Sequence, residues 1–147
     1  RIEAIRRLEP TAAFRSSFIV GYPGETEEDH DILLRFVEDA QLDWAGVFAY
    51  SREEGTPAAG LDGAVDPRLV AERLLELSEL QDRITAERRR GLVGAVVEVL
   101  VDEPGVGRTH REAPEIDGIV SVPTELPVGT FAKVTIRGAA GPDLEAA

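Results

Sequence analysis

The side chains that could carry out acid–base or nucleophilic chemistry are few in this sequence, and several stand together ahead of an apolar segment. Four carboxylates lie within residues 25–29, and the only two imidazoles belong to His30 and His110. Acidic side chains stabilise the first turn of a helix through its dipole, so this cluster favours a structural role over acid–base catalysis. His30 is predicted to be solvated in that turn, and His110 to lie in a strand with no second metal ligand nearby.

The absence of cysteine narrows the chemistry further. No disulfide, zinc–thiolate site or cysteine-ligated iron–sulfur cluster can form within these 147 residues. The sequence has no G-x-S-x-G nucleophile motif, and no carboxylate pair has a setting that suggests hydrolysis. The sequence therefore predicts no catalytic residue and no metal ligand within this chain.

Two apolar segments are predicted to bring binding residues to one edge of a parallel sheet. Residues 14–20 and 44–50 have the composition of strands, and the helix between them begins at Thr26 with a capping-box pattern. Strands that are apolar on both faces are typical of a parallel sheet covered by helices. Gly21 and Tyr50 follow the two strands, at the edge where parallel α/β barrels carry their functional groups.

Helices and one loop complete the first half of the chain. Residues 2–8 have helical spacing, and residues 51–65 have no period and are predicted to form a loop. Asp66 begins a long helix as its N-cap, and Gly91 ends it. The arginines at 88–90 suit the negative end of the helix dipole, and we interpret them as paired with it and solvated rather than as a nucleic-acid contact.

Short strands follow Gly91. The segments predicted to form them are residues 93–101, 108–112, 118–122 and 131–137, and the tail from Gly138 is expected to be frayed. Closely spaced short strands with turn signals between them indicate a small antiparallel β-barrel.

The expected fold class is α/β plus all-β, with three parts. Residues 1–65 form an α/β piece, residues 66–91 a connecting helix, and residues 92–147 a small barrel. The α/β piece has only two apolar strands, which need neighbouring strands, and the chain begins at Arg1 and contains no methionine. We therefore expect a C-terminal piece of a longer protein, whose residues 92–147 fold independently.

Charge and hydropathy restrict partners and location. The net charge is −12, which argues against nucleic acid and suits a basic protein partner. No apolar run is long enough to span a membrane, and no leader pattern is visible, so a cytoplasmic setting is expected.

Four segments resemble the methylthiotransferase family of radical-SAM enzymes. They keep the family's order and approximate spacing, and they cover nearly the whole chain. The segments are Arg15–Thr26, Val47–Ser51 with the following residues 53–58, Arg111–Gly118 and Val134–Ile136.

The resemblance implies a fold and a set of cofactors. The chain would hold the C-terminal part of a radical-SAM α/β barrel, followed by an OB-like TRAM domain. The family uses S-adenosylmethionine and two 4Fe-4S clusters, whose cysteine ligands would lie upstream of this chain. The 147 residues would therefore be inactive alone, within an enzyme that inserts sulfur and transfers a methyl group.

The resemblance also assigns candidate cofactor-binding residues. Ile19 would pack on the adenine ring of S-adenosylmethionine, and Gly21 would let the cofactor approach the backbone. Arg15 would pair with a carboxylate of the methionine moiety or of the substrate, and Tyr50 would form a hydrogen bond with the cofactor or the substrate. The alternatives are an ordinary barrel core and turn for Ile19 and Gly21, a structural ion pair for Arg15, and a solvated strand-end hydroxyl for Tyr50.

Two branches of the family differ in substrate. One modifies tRNA adenosine, and the other modifies an aspartate of ribosomal protein S12 at its β-carbon. The segment from Ala113 to Gly118 resembles the S12 branch, and the acidic residues 92–147 suit a basic ribosomal protein. The candidate substrate-binding residues are Arg111, Glu112, Glu115 and Asp117.

Two alternatives stay open from the sequence. A tRNA adenosine methylthiotransferase would show a basic patch on the barrel, built from Arg108, Arg111, Lys133 and Arg137. A stand-alone module that binds RNA or protein would lack the upstream cysteines.

Overall fold

The structure, a computed structural model, describes all of residues 1–147. It has two compact units: residues 15–81 form one, and residues 1–14 together with 82–147 form the other. The sequence predicts the first helix, α1 (Ile2–Leu8), as part of the α/β piece, whereas the structure groups it with the barrel.

The α/β unit contains the predicted strand–helix–strand segment. Strand β1 (Arg15–Val20) and strand β2 (Trp44–Ala49) pair in parallel, with Arg15 opposite Trp44 and Val20 opposite Ala49. Helix α2 (Glu27–Ala40) joins them. The predicted parallel pair is confirmed. The remainder of an α/β barrel is not visible, since this unit has a sheet of two strands.

Helix α2 begins where the sequence predicts. The Thr26 hydroxyl accepts a hydrogen bond from the Asp29 amide at 3.2 Å, and the Asp29 carboxylate accepts one from the Thr26 amide at 2.9 Å. These backbone and side-chain hydrogen bonds from Thr26 lower the pKa of Asp29 below its ordinary value. The capping box satisfies two amides that the helix itself cannot pair.

One face of the β1–β2 sheet is packed and the other is open. Phe18 meets Phe36 of α2 edge to face, with ring centroids 6.2 Å apart, and Val20 and Val37 are completely buried. Side chains alternate between the faces of a strand, so Ile19 lies on the face that α2 does not cover. Ile19 is 58% exposed.

The segment between β2 and the last helix is less irregular than predicted. A short 3₁₀ helix (Pro57–Gly60) lies within the predicted loop. Helix α3 (Pro67–Arg90) then begins after Asp66, whose carboxylate accepts a hydrogen bond from the Arg68 amide at 2.8 Å. Helix α3 ends at Arg90, immediately before Gly91 as predicted. No helix of the chain has both the length and the apolar character needed to cross a membrane.

Residues 96–146 form a closed five-stranded barrel with the strand order β3-β4-β5-β7-β6. Its core is aliphatic and includes Val99, Val120, Ile136 and Leu144. The strands are β3 (Val96–Glu103), β4 (Val106–Arg108), β5 (Val120–Ser121), β6 (Phe131–Ala140) and β7 (Asp143–Ala146).

Three details of the predicted barrel are wrong. Residues 109–112 are not part of a strand, because β4 ends at Arg108. The tail is not frayed, because β6 continues to Ala140 and β7 pairs with both β6 and β5. The barrel is not wholly antiparallel, since the β5–β7 pair is parallel. The predicted alternation along β6 is confirmed, with Val134 and Ile136 inward and Phe131 outward.

Candidate functional site

A cavity of about 520 Å³ lies at the carboxyl ends of β1 and β2. It brings together two of the four predicted cofactor-binding residues, Gly21 and Tyr50. Most of its lining is apolar, with Ala58 from the 3₁₀ segment and Val70 and Leu74 from α3. An apolar cavity with a few polar groups is the usual form of a small-molecule site.

Gly21 is required by the geometry of this edge. Its φ of +79° lies in the left-handed region, and a Cβ there would come within 2.5 Å of a Val70 methyl. The Gly21 amide donates to a Glu25 carboxylate oxygen at 2.9 Å. The turn after β1 is therefore closed tightly against α3 within the same unit.

A buried cation holds this turn. Arg73 of α3 is 3% exposed and donates to the Glu25 carboxylate at 2.7 Å and to the Glu27 carboxylate at 2.6 Å. Burial opposes the charge, but hydrogen bonds to Glu27 and Glu25 raise the pKa of Arg73 above its ordinary value. These ion pairs fit the structural role predicted for the acidic cluster. Two of its carboxylates, Glu25 and Glu27, pair with Arg73, a partner that the helix-dipole argument does not include.

His30 is not solvated as predicted. It is 3% exposed, and its Nε2 lies 3.0 Å from a carboxylate oxygen of Glu76. The first turn of α2 is covered by α3 on the side where His30 points, and sequence spacing alone does not show that cover. The pair joins two helices of one unit.

Tyr50 continues the pairing of the two strands beyond β2. Its amide donates to the Val20 carbonyl at 2.8 Å, and its ring meets Tyr22 edge to face with centroids 5.3 Å apart. Its hydroxyl is buried and has no hydrogen-bond partner. Because buried polar atoms are nearly always satisfied, this hydroxyl is a candidate ligand contact.

The other two predicted cofactor residues lie on the open face of the sheet. Arg15, Ser17 and Ile19 are alternate residues of β1, so their side chains lie on the same face of the sheet. Gly46 pairs with Ser17, and a Cβ added at Gly46 would lie 3.6 Å from the Ser17 hydroxyl and 2.9 Å from the Phe48 ring. This face therefore combines a cation with exposed apolar side chains. Arg15 and Ile19 do not line the cavity that contains Gly21.

The barrel holds the four predicted substrate-binding residues in one loop, and they differ strongly in accessibility. The Glu112 side chain is 1% exposed and pairs with Arg89 Nη1. Its second oxygen accepts hydrogen bonds from the Thr109 amide at 2.6 Å and hydroxyl at 2.7 Å. A direct substrate contact by Glu112 does not fit this burial, because both carboxylate oxygens are occupied by Arg89 and Thr109.

Arg89 corrects the interpretation of the arginines at the end of α3. It is 3% exposed rather than solvated, and its Nε donates to the Pro142 carbonyl at 2.8 Å. One side chain thus links the helix end, the loop after β4 and the β6–β7 turn.

The tip of the same loop is accessible and ordered by Asp117. Its carboxylate accepts a hydrogen bond from the Ala113 amide at 2.7 Å, and Glu115 has a φ of +63°. This turn presents Ile116, which is 72% exposed. Glu115 is exposed, whereas Arg111 and Asp117 are partly exposed.

Metal-binding side chains are not clustered in this chain. No group of three or more histidine, cysteine, aspartate or glutamate side chains could hold a metal ion, and there is no cysteine. His110 lies in a turn rather than in a strand, and its Nε2 is 2.9 Å from the Thr11 carbonyl.

Known families account for both units. Residues 93–147 match the TRAM domain family, so the barrel is a TRAM domain. Nearly the whole chain is similar to curated proteins named ribosomal protein uS12 methylthiotransferase RimO, and it belongs to the methylthiotransferase family that they represent.

The sequence identity is nearly the same for relatives from three bacteria. A relative from Thermus thermophilus is 48% identical over 92% of this chain and 32% of its own length. The relative from Akkermansia muciniphila is 46% identical over 97% of this chain and 31% of its own length. The relative from Methylobacillus flagellatus is 44% identical over all of this chain and 35% of its own length. The chain thus spans about a third of these relatives.

Proposed function

We propose that this chain belongs to a radical-SAM methylthiotransferase that adds a methylthio group to the β-carbon of an aspartate of ribosomal protein uS12, in the cytoplasm. The observation that carries this proposal is the 42–48% identity to uS12 methylthiotransferases over 92–100% of the chain. Within the proposal, residues 1–65 contribute to the radical-SAM barrel, residues 66–91 connect, and residues 92–147 hold the substrate protein.

The cofactors fit the described residues unequally. An iron–sulfur cluster does not fit, because the chain has no cysteine and no cluster of metal-binding side chains, so its ligands would come from elsewhere in the protein. S-adenosylmethionine fits better, because the Tyr50 hydroxyl is buried without a partner and Ile19 is exposed on an open sheet face. When bound, this cofactor would supply the 5′-deoxyadenosyl radical and the methyl group.

The chain's own residues would orient these groups. Gly21 would give the cofactor close access to the backbone, and Arg73 would hold the turn after β1 through Glu25. Arg15 lies on the same face as Ile19, where its charge would complement a carboxylate of cofactor or substrate. The 147 residues alone are proposed to be inactive, because no group within them could generate a radical.

Charge on the barrel favours the protein substrate over tRNA. Arg108 lies 3.1 Å from Asp102, and Lys133 stands directly opposite Glu98 on the outer face. Two of the four cations of residues 92–147 are thus offset by neighbouring carboxylates, and the domain has nine acidic side chains. An RNA-binding barrel requires an uncompensated basic surface.

A chimera tests the proposal. This chain replaces the matching third of the Thermus thermophilus relative in cells that lack their own enzyme, and the intact mass of ribosomal protein uS12 is measured. We expect a methylthio increment, retained in a Lys133→Ala control and lost when Gly21 is replaced by valine. An unmodified uS12 together with methylthiolated tRNA adenosine would instead establish the tRNA branch, and a folded chimera that modifies neither would reject both.

A further inference from the structure

The closed barrel has one local opening, where β4 is much shorter than β3. Strand β4 pairs with β3 only from Leu100 onward, which leaves the first part of β3 without a neighbour on that side. A groove of about 440 Å³ follows this edge, and both the groove and the edge lie within the barrel unit.

The pairing with β6 shows which backbone groups face the groove. The Ile136 amide donates to the Ala95 carbonyl, and the Val101 amide donates to the Thr130 carbonyl, so odd-numbered residues of β3 bond to β6. In an antiparallel pair the intervening residues direct their N–H and C=O groups to the opposite side. Val96 and Glu98 therefore point both backbone groups toward the opening.

The opening has a structural cause. After Arg108 the chain turns away from β3, because the Thr109 amide and hydroxyl both donate to the buried Glu112 carboxylate. Arg89 holds that carboxylate from the end of α3. The network thus prevents β4 from continuing along Val96 and Glu98.

The side chains around this edge indicate the chemistry of a segment that could bind there. Outward-facing Val96 and Phe131 are 67% and 69% exposed, and they provide apolar surface along the groove. The wall formed by residues 108–111 contributes His110 and Arg111 besides Arg108, whose charge is already offset by Asp102. Glu98 is the one acidic side chain that lines the groove. This wall is basic within a domain whose overall balance is acidic.

We propose that this edge of β3 binds an extended segment of a partner protein by strand addition, with apolar side chains at alternate positions and at least one carboxylate. Main-chain hydrogen bonds to Val96 and Glu98 give affinity and register, and the apolar and basic surfaces select side chains. The inference goes beyond the proposed function, because it specifies a docking mode whichever protein supplies the segment.

Amide NMR on the full ¹⁵N-labelled chain tests the geometry and the binding. In the free chain the amides of Val96 and Glu98 should exchange rapidly with solvent, whereas those of Val97 and Val99 should be protected. A short probe peptide that alternates valine with glutamate and threonine should shift the first two amides and slow their exchange at least tenfold. Equal protection of all four in the free chain would show that no open edge exists.

Three variants separate the contributions. Val96→Pro removes the edge donor at a position where proline is tolerated, and it should weaken peptide binding roughly tenfold. Val96→Thr keeps the donor and should bind normally. Arg111→Gln should weaken binding of the glutamate peptide but not of a matched glutamine peptide, and Lys133→Gln on the neighbouring strand should change neither.

Two results would overturn the proposal. Strand addition depends mainly on backbone groups, so the absence of binding by any probe peptide at millimolar concentration would contradict it. Binding of a short oligouridine at Phe131 without peptide binding would instead identify the groove as a nucleic-acid site. If Val96→Pro disturbs folding, the exchange pattern of the unaltered chain with saturating peptide still decides the question. Failure here leaves uS12 modification by the chimera unaffected, so the two proposals are tested separately.

Discussion

Replacement of Glu112 by glutamine should destabilise the barrel strongly while keeping its shape. The variant leaves the Arg89 guanidinium buried beside a neutral amide and the Pro142 carbonyl. Removing one partner of a buried ion pair costs about 3–5 kcal/mol, because the remaining charge loses the carboxylate that it paired with. A small domain has a total stability of roughly 5–15 kcal/mol, so this loss is a large part of it.

Hydrogen exchange of amides in β3 and β6 measures the effect within the barrel. A loss of about 3–5 kcal/mol corresponds to exchange that is roughly 140- to 4000-fold faster for amides that open only on global unfolding of the barrel. Trp44 lies in the α/β unit, so its fluorescence transition monitors that unit in the same sample.

Two further variants distinguish charge from packing. Arg89→Met combined with Glu112→Gln removes both charges, and glutamine can still accept the Thr109 amide, so the double variant should be more stable than Glu112→Gln alone. Asp102→Asn breaks the partly exposed pair with Arg108 and should cost about 0–1 kcal/mol. The reasoning would be refuted if Glu112→Gln cost no more than Asp102→Asn.

Other perturbations test the α/β unit and the limits of the barrel. Gly21→Ala should lower the stability of the α/β unit by about 1–3 kcal/mol, because an alanine is strained at this positive φ and its Cβ would collide with Val70. Urea unfolding followed by tryptophan fluorescence would show the loss, and an unchanged midpoint would contradict the close approach of Gly21 to Val70. Thr26→Ala should cost about 1 kcal/mol in the same assay. Because the pKa of Asp29 is lowered in the folded helix, its ionised carboxylate contributes stability at neutral pH that is lost as the pH falls through the lowered pKa. This acid sensitivity should be smaller in Thr26→Ala, and the urea midpoint measured against pH would show the difference. A fragment of residues 82–147 should give dispersed amide spectra, and fast uniform exchange in it would show that the barrel does not fold without the rest of the chain.

The predictions that depended on local pattern were the most successful. The capping box at Thr26, the helix start after Asp66 and its end before Gly91 follow from side chains that bond to nearby backbone. The alternation along β6 separates inward from outward residues because side chains of a strand alternate between faces. Such signals lie within a few residues, so one sequence contains them completely.

The buried ion pairs were missed, although the sequence carried a faint sign of one. Arg73 stands at helical spacing from the apolar residues Leu77 and Leu80, so it occupies a core position of α3. A charge at a core position requires a partner, but its partners, Glu25 and Glu27, are more than forty residues away. Nothing in their spacing identifies the pairing.

The sequence by itself determined the parallel strand pair, the barrel in the second half and the membership of the methylthiotransferase family. The tertiary structure decided which polar groups are accessible. Glutamate and arginine usually lie on the surface, but long-range packing buries Glu112 and Arg89 together and turns the chain away from β3. In the α/β unit, α3 and residues 58–65 form a cavity with Gly21 that Ile19, two residues earlier in the chain, does not line. Burial depends on contacts between distant segments, and these are defined only when the chain has folded.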